Sequence, residues 1–167
     1  MPVPRRFVLR GTLLAFLLAV AIVAPSASVA AADVMNPDAS RVIHIAEAKS
    51  GDPWVAGMTG PGAFDCSGLV FYAFKEAGML KRIGGSRRTA YGYLEWFKKR
   101  GLASRSHPLP GDLVIWGGGG HVGIYVGHGK AVSALTSGVQ VHKVKNTNPP
   151  FTTYLHVKWP APEGFKL

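Results

Sequence analysis

The sequence predicts an α+β fold, with helices in the first part of the chain and an antiparallel β-meander in the second. Apolar residues recur at helical spacing between residues 39 and 99. After the turn at 108–112, the pattern changes to short apolar runs separated by turns that contain glycine. Helices that precede the strands, instead of alternating with them, are typical of α+β domains.

The first 32 residues have the pattern of an export signal. Three arginines, Arg5, Arg6 and Arg10, precede an apolar run at 12–24, and small residues at 28–32 offer a cleavage site. The run is short for a membrane-spanning helix, which needs about 20 residues; a retained N-terminal anchor is the alternative. The remaining chain of about 135 residues fits one domain. We divide it into a leader (33–40), a folded domain (41–159) and a tail (160–167).

Charge and cysteine content narrow the classes of function. The net charge is +10, and removal of residues 1–32 with their three arginines leaves +7. Such an excess favours an anionic partner, or else serves solubility alone. No basic strip interleaved with aromatic residues accompanies it, so an anionic wall polymer or a membrane surface is expected before nucleic acid. Together with the export signal, this predicts a secreted protein of the cell wall or periplasm. No later run is long and apolar enough to span a membrane, so we expect no transmembrane span in the mature chain. We also expect a monomer.

Three helices are predicted, over residues 39–49, 67–77 and 89–99. Asp38 is the expected N-cap of the first helix. Gly78 and Gly101 follow the second and third helices at the positions where glycine commonly ends a helix. The apolar face of the third helix, which includes Tyr93 and Phe97, is expected to pack in the core.

Five strands are predicted, over residues 113–116, 121–126, 131–135, 139–144 and 153–159. A hairpin turn at 127–130 joins the second and third of them. The run of four glycines at 117–120 lacks the Lys-Ser/Thr pair of a phosphate-binding loop. We interpret it as a turn that lets the backbone approach a site near His121, with a merely flexible link as the alternative.

Cys66 is the only cysteine in the chain, so an internal disulfide is excluded. It lies at the start of the second predicted helix, where free backbone N–H groups and the helix dipole stabilise a thiolate. His121 opens a predicted strand and is a candidate base. A cysteine at a helix start that faces a histidine on a strand is suited to attack on an amide carbonyl. The alternative is that Cys66 is a small buried hydrophobic residue.

Three motifs carry a family resemblance: Phe64-Asp65-Cys66-Ser67-Gly68-Leu69-Val70, Pro110-Gly111-Asp112-Leu113-Val114 and His121-Val122-Gly123-Ile124-Tyr125-Val126-Gly127. In this order they resemble the NlpC-type cell-wall cysteine peptidases, over roughly residues 41–144. The resemblance implies a papain-like fold and hydrolysis of peptide bonds in peptidoglycan stem peptides. It makes Cys66 the nucleophile and His121 the base, without a cofactor. The His, Cys and Asp positions also lack the spacing of a zinc site.

The resemblance also identifies a third catalytic position and neighbouring residues. The family usually has a polar residue, most often histidine, on the strand after the hairpin; that position is Ser133 here, with His128 and His142 as alternatives. Trp54 lies where the family usually has an oxyanion-binding tyrosine, and tryptophan offers an indole N–H instead. With Asp65 and Ser67, it is expected to contact substrate.

Two other functions stay open. Trp54, Ser133 and the basic surface are compatible with a catalytically weak or inactive module, on the same fold, that binds the wall or regulates an enzyme. Cys66 could also serve a related thiol chemistry, such as amide or acyl transfer. Position alone places Arg87 and Arg88, at the end of the basic connection, and Tyr91, in the third helix, near the cleft. The alternative for all three is a solvated helix start.

Overall fold

A computed structural model of the chain describes Met1 and residues 35–160. Apart from Met1 and Pro160, the predicted signal at 1–32 and the predicted tail at 160–167 lie outside the described residues. The helices are α1 (Pro37–Glu47), α2 (Cys66–Glu76) and α3 (Ala90–Lys98), with short 3-10 turns at Leu80–Ile83 and Gly117–Gly119. The strands are β1 (Ala103–Ser104), β2 (Leu113–Trp116), β3 (His121–Gly127), β4 (Lys130–Leu135), β5 (Gly138–Lys143) and β6 (Phe151–Leu155). The predicted α+β class is confirmed.

The start of α1 differs from the prediction. The helix begins at Pro37, and Asn36 is its N-cap: the Asn36 side chain accepts the backbone N–H groups of Asp38 and Ala39 at 3.0 and 3.3 Å. The prediction that Asp38 is the cap was therefore wrong. Proline suits the first position of a helix because the N–H that it lacks has no helical partner there.

The other two helices end at their predicted glycines, and each begins within one residue of its predicted start. Thr89 caps α3 by accepting the backbone N–H of Gly92 at 3.0 Å. Gly78 and Gly101 have positive φ values of 75° and 67° just beyond α2 and α3, as expected of glycines that end helices. The four-glycine run forms a short 3-10 turn ahead of β3. A side chain at Gly119 would meet Tyr91, so this turn packs closely against α3.

The six strands form one antiparallel sheet in the order β1-β6-β2-β3-β4-β5. Strands β2 to β5 make the predicted meander. The last strand was predicted over 153–159, but β6 ends at Leu155 and returns to lie between β2 and β1. The short strand β1 was not predicted.

Asp112 explains why β6 stops early. Asp112 as a whole residue is 1% exposed. One carboxylate oxygen accepts the backbone N–H of Val157 at 2.8 Å, and the other lies 2.8 Å from His156 Nδ1. His156 Nε2 lies 2.7 Å from Ser104 Oγ on β1. Asp112 therefore draws the chain after Leu155 out of the strand ladder and connects β1, β2 and β6.

Both faces of the sheet carry buried side chains. In β2, Leu113 and Ile115 belong to the main core, which the three helices cover, whereas Val114 and Trp116 belong to a smaller cluster on the opposite face. All four β2 residues are buried, as predicted for this strand. Within residues 35–160, no helix has both the length and the apolar character that crossing a membrane requires.

Candidate active site

Cys66 is the first residue of α2, and the backbone around it is tightly constrained. Asp65 is the N-cap, and its Oδ1 accepts the backbone N–H of Gly68 at 2.6 Å. A Cβ atom at Gly68 would lie 1.9 Å from the carbonyl oxygen of Met58, so only glycine fits there. The Asp-Cys-Ser-Gly sequence thus holds the start of α2 against the preceding loop and places Cys66 at the helix N-terminus.

The two predicted substrate-binding residues beside Cys66 are engaged within the protein. Ser67 is 6% exposed, and its hydroxyl donates to Asp65 Oδ1 at 2.8 Å. Asp65 Oδ2 accepts the backbone N–H of Gly57 at 2.9 Å and pairs with the guanidinium of Arg87. Arg87 also donates to the carbonyl of Gly57 at 3.0 Å. These contacts position the helix start, and a direct contact of Asp65 or Ser67 with substrate stays a prediction. The motif pattern did not reveal this role for Arg87.

Packing of α2 on the sheet brings the thiol to the start of β3. The backbone N–H of Val122, the residue that follows His121, lies near enough to the Cys66 thiol to act against the rise in its pKa. The predicted nucleophile and the predicted base are therefore on neighbouring elements of one site, although 55 positions separate them in the chain.

A residue of the neighbouring strand β4, Ser133, contacts the imidazole of His121. Its Nε2 lies 2.9 Å from the hydroxyl of Ser133, which is fully buried. A Cβ atom at Gly123 would lie 2.9 Å from the Ser133 Cβ and 2.8 Å from the carbonyl of Val132. Glycine at this position thus allows the close approach of β3 and β4 that the contact between His121 and Ser133 needs.

His142 on β5 extends this contact. The Ser133 hydroxyl lies 2.8 Å from His142 Nε2, and His142 Nδ1 lies 2.9 Å from the carbonyl of Lys143. The ring of Trp116 lies 5.3 Å, centroid to centroid, from each of the two imidazoles. The alternative third residue His142 therefore joins the site through Ser133, whereas the other alternative, His128, is exposed in the β3–β4 turn.

The pKa shifts favour a neutral thiol and a neutral imidazole in the free protein. Burial raises the pKa of the Cys66 thiol, and the Asp65 carboxylate adds to the rise, although backbone N–H groups of Val122, Ser67 and Cys66 act against it. Burial, and next the electrostatic influence of the neighbouring His142, lower the pKa of His121 to about 4. The expected stabilisation of a thiolate by the helix start exists, but burial outweighs it.

A cavity of about 220 Å³ opens beside the two histidines. Apart from them, its lining is uncharged and consists of Trp116, Leu135, Thr147, Asn148 and Pro149. Trp54 lies on the loop before Cys66, is 39% exposed, and forms an isolated backbone β-bridge with Phe64. A contact of Trp54 with substrate stays a prediction. Within residues 35–160, no three His, Cys, Asp or Glu side chains are close enough together to hold a metal ion.

The chain is similar to known proteins over most of the described domain. The model of the NlpC/P60 family matches residues 51–158. A "Probable endopeptidase" of Corynebacterium glutamicum is 35% identical over 120 residues, which cover 71% of this chain and 53% of the relative. A "Probable endopeptidase p60" of Listeria grayi is 36% identical over 104 residues, 59% of this chain and 19% of the relative. The aligned part thus spans about half the length of these relatives, or less.

Solved structures share the architecture. The peptidoglycan hydrolase RipB from Mycobacterium tuberculosis superposes with a TM-score of 0.55 at 27% identity, covering 73% of this chain and 66% of RipB. Helices before an antiparallel sheet, with the predicted papain-like arrangement, are therefore common to both proteins. The family match, which includes Cys66, His121 and Ser133, covers well over half of the sequence. On this evidence, the chain belongs to the NlpC/P60 family.

Proposed function

We propose that this protein is a secreted cysteine endopeptidase that hydrolyses peptide bonds in peptidoglycan stem peptides. The observation that carries the proposal is that Cys66 begins α2, and that α2 packs on β3, the strand that His121 opens. The lowered pKa of His121 leaves its imidazole neutral and able to accept a proton. The names of the relatives and of the RipB structure agree with this activity. Export follows from the signal pattern in residues 1–32, and the mature protein then acts in the cell wall or periplasm.

The reaction begins from a thiol and an imidazole. As the Cys66 sulfur attacks the carbonyl carbon of the peptide bond, its proton passes to His121, and the backbone N–H groups at the start of α2 stabilise the oxyanion. The imidazolium then gives its proton to the leaving amine, and a thioester to Cys66 remains. Water attacks the thioester, His121 accepts a proton from the water, and the thiol is restored as the carboxylic acid product leaves.

Ser133 takes part in this scheme without touching the substrate. Its side chain is fully buried, and its hydroxyl lies within hydrogen-bond distance of His121 Nε2. The third catalytic position of the family is therefore a positioning residue in this chain, which holds the imidazole ring by one hydrogen bond.

A module that binds wall peptide without cleaving it is the second candidate. The observation in its favour is the raised pKa of Cys66, since a cysteine peptidase gains from a readily ionised thiol. Such a module would retain wall peptide at the site and leave it intact.

An anionic wall polymer is the further partner that we propose. A groove with a cavity of about 360 Å³ lies between α3 and the end of the domain, lined by Leu102, Trp96 and four cations: Lys81, Arg82, Arg100 and Lys158. The Arg100 guanidinium stacks 3.9 Å from the centre of the Trp96 ring. In residues 35–160, the lysines and arginines that pair with carboxylates are Lys75, Arg87 and Lys98, all outside this groove. Its charge is thus available to a phosphate- or carboxylate-rich chain.

Digestion of purified peptidoglycan tests the proposed activity. The protein without residues 1–32 is incubated with washed peptidoglycan, and the soluble products are identified by mass spectrometry. We expect fragments that end within the stem peptide, and none from Cys66→Ala. An absence of fragments, with both proteins sedimenting with the wall, would favour the binding module.

A further inference from the structure

We propose that His142 is a positioning residue that sets the tautomer of His121, acting through Ser133. This inference rests on the proposed function, because the tautomer matters only if His121 is the base for Cys66. The hydrogen bonds of three residues on adjacent strands carry the argument.

The outer end of the chain of hydrogen bonds has a fixed direction. His142 Nδ1 lies 2.9 Å from the backbone carbonyl of Lys143, and a carbonyl oxygen can only accept a hydrogen bond. Nδ1 must therefore carry a proton. In the neutral imidazole, the other nitrogen, Nε2, then has a lone pair and is an acceptor.

Because His142 Nε2 is an acceptor, the Ser133 hydroxyl must be the donor in the hydrogen bond between them. A hydroxyl has one proton, and Ser133 Oγ is 2.8 Å from the acceptor His142 Nε2. Ser133 accordingly donates to His142 and offers a lone pair to His121 Nε2, 2.9 Å away. His121 Nε2 must then carry the proton of that ring.

The result is the tautomer that catalysis needs. With its proton on Nε2, His121 keeps a lone pair on Nδ1, the ring nitrogen that makes no hydrogen bond within the described residues, and Nδ1 can take the proton of Cys66. Serine alone cannot ensure this, because its hydroxyl can donate to His121 Nε2 as readily as it can accept. In that reversed arrangement Nδ1 would hold the proton and could not act as a base.

The surrounding packing keeps the three residues in contact. Ser133 pairs with Gln140, and Ala131 pairs with His142, so Ser133 and His142 are diagonal neighbours on one face of the β4–β5 pair. Trp116 is 1% exposed and lies against both imidazoles, and its indole N–H donates to the carbonyl of Val144 at 2.8 Å. The contacts of His142 with Ser133 and Trp116 are therefore part of the folded sheet.

The first test compares two substitutions at position 142. His142→Leu removes the acceptor, whereas His142→Gln retains one in its side-chain carbonyl. We expect kcat on a soluble stem peptide to fall about 10- to 100-fold in His142→Leu, the range that applies when a metal-bound histidine loses its outer hydrogen-bond partner. His142→Gln should recover most of the loss. His128→Asn, at the exposed histidine of the β3–β4 turn, is the matched control and should be unchanged.

A double-mutant cycle separates positioning from general stability. Ser133→Ala interrupts the path between the two histidines, so His142→Leu should have no further effect on kcat in the Ser133→Ala background. Additive losses would show that His142 acts by another route and would overturn the proposal. Urea unfolding of each variant corrects for any change in the folded fraction.

Nitrogen NMR of histidine-labelled protein reads the tautomer directly and needs no activity. At neutral pH we expect His121 Nε2 to be of the protonated type and Nδ1 of the unprotonated type in the wild-type protein. His142→Leu should shift His121 toward the opposite tautomer. An unprotonated Nε2 in the wild type would overturn the proposal.

The outcomes also separate this proposal from the proposed function. If the wild type cleaves stem peptides and His142→Leu does so equally well, the positioning role is wrong and the peptidase stands. If the NMR signals change as expected but the wild type cleaves no wall peptide, the positioning role stands and the peptidase is wrong.

Discussion

Two opposing effects act on the pKa of the Cys66 thiol, and burial is the larger of the two. The helix start provides backbone N–H groups that favour a thiolate, yet the pKa of the thiol is raised because the surrounding protein shields the half-buried sulfur from water. The thiol is therefore neutral in the free protein, and it ionises only as His121 accepts its proton. Reactivity in the free protein should therefore depend strongly on pH.

The rate of Cys66 alkylation at different pH values measures the ionisation of the thiol directly. We expect the rate of Cys66 modification by iodoacetamide to rise with pH, with an inflection above the ordinary pKa of a cysteine thiol, because burial disfavours the thiolate. The same experiment on urea-unfolded protein gives the reference inflection. An inflection below neutral pH in the folded protein would instead demonstrate a preformed thiolate–imidazolium pair.

His121 makes stability depend on pH in a defined direction. Its pKa is lowered from 6.5 to about 4, so the unfolded chain takes up a proton before the folded protein does. The contribution of neutral His121 is fully present above pH 6.5 and is lost as the pH falls toward 4. The shift corresponds to a loss of at most about 3 kcal/mol.

Urea unfolding at pH 7 and pH 4 checks this expectation. Other groups titrate over the same interval, so His121→Gln is the control, and it should lose less stability than the wild type on acidification. Equal losses in the two proteins would contradict the lowered pKa.

At the scale of elements, the start of α2 is the part of the site that the sequence predicts best. The Asp-Cys-Ser-Gly pattern indicates a helix start, and the structure shows why these residues are needed. We expect Asp65→Ala to lower the free energy of unfolding by about 1–2 kcal/mol, the usual loss for an N-cap. Its rate of peptide cleavage should also fall, since Asp65 joins the start of α2 to Arg87 and to the loop at Gly57.

Asp38→Ala is the control for that substitution. It removes a carboxylate from the first turn of α1, where Asn36 and not Asp38 is the cap. The loss of stability should be smaller than in Asp65→Ala and cleavage should be unchanged. A comparable loss from both substitutions would contradict the assignment of the two caps. Chemical denaturation followed by circular dichroism provides the comparison.

Patterns along the chain predicted most elements, because helical periodicity, short apolar runs and glycine-containing turns are local features. The early end of β6 was missed because it depends on Asp112, which is more than 40 residues away in sequence. The two-residue strand β1 is too short to give a pattern. In the site, Cys66, His121 and Ser133 follow from motifs, whereas the contact between Ser133 and His142 depends on the register of β4 and β5, which residue types alone do not determine.

For the whole molecule, the excess of positive charge is concentrated in part around Trp96. We expect Lys81→Ala combined with Lys158→Ala to weaken co-sedimentation with walls that retain their anionic polymers, since two cations leave the groove. Added salt should weaken wild-type binding in the same way. Cleavage of a small soluble stem peptide should not change, because the groove is separate from the residues at Cys66.

A charge-matched variant tests whether position matters. Lys75→Ala combined with Lys98→Ala lowers the net charge equally, but these lysines pair with Glu76 and Glu95 outside the groove. Binding to the wall should be affected less than in the groove variant. An equal loss in both would indicate that net charge, and not the groove, attracts the polymer.

The most direct test of the central claim is the digestion of purified peptidoglycan in water enriched in oxygen-18, with products read by mass spectrometry. Hydrolysis through Cys66 predicts fragments that end within the stem peptide and carry one heavy oxygen in the new carboxyl group, and none with Cys66→Ala. New amide or ester products without the heavy oxygen would point to acyl transfer. Intact wall, with both proteins bound to it, would contradict the account and leave a binding module.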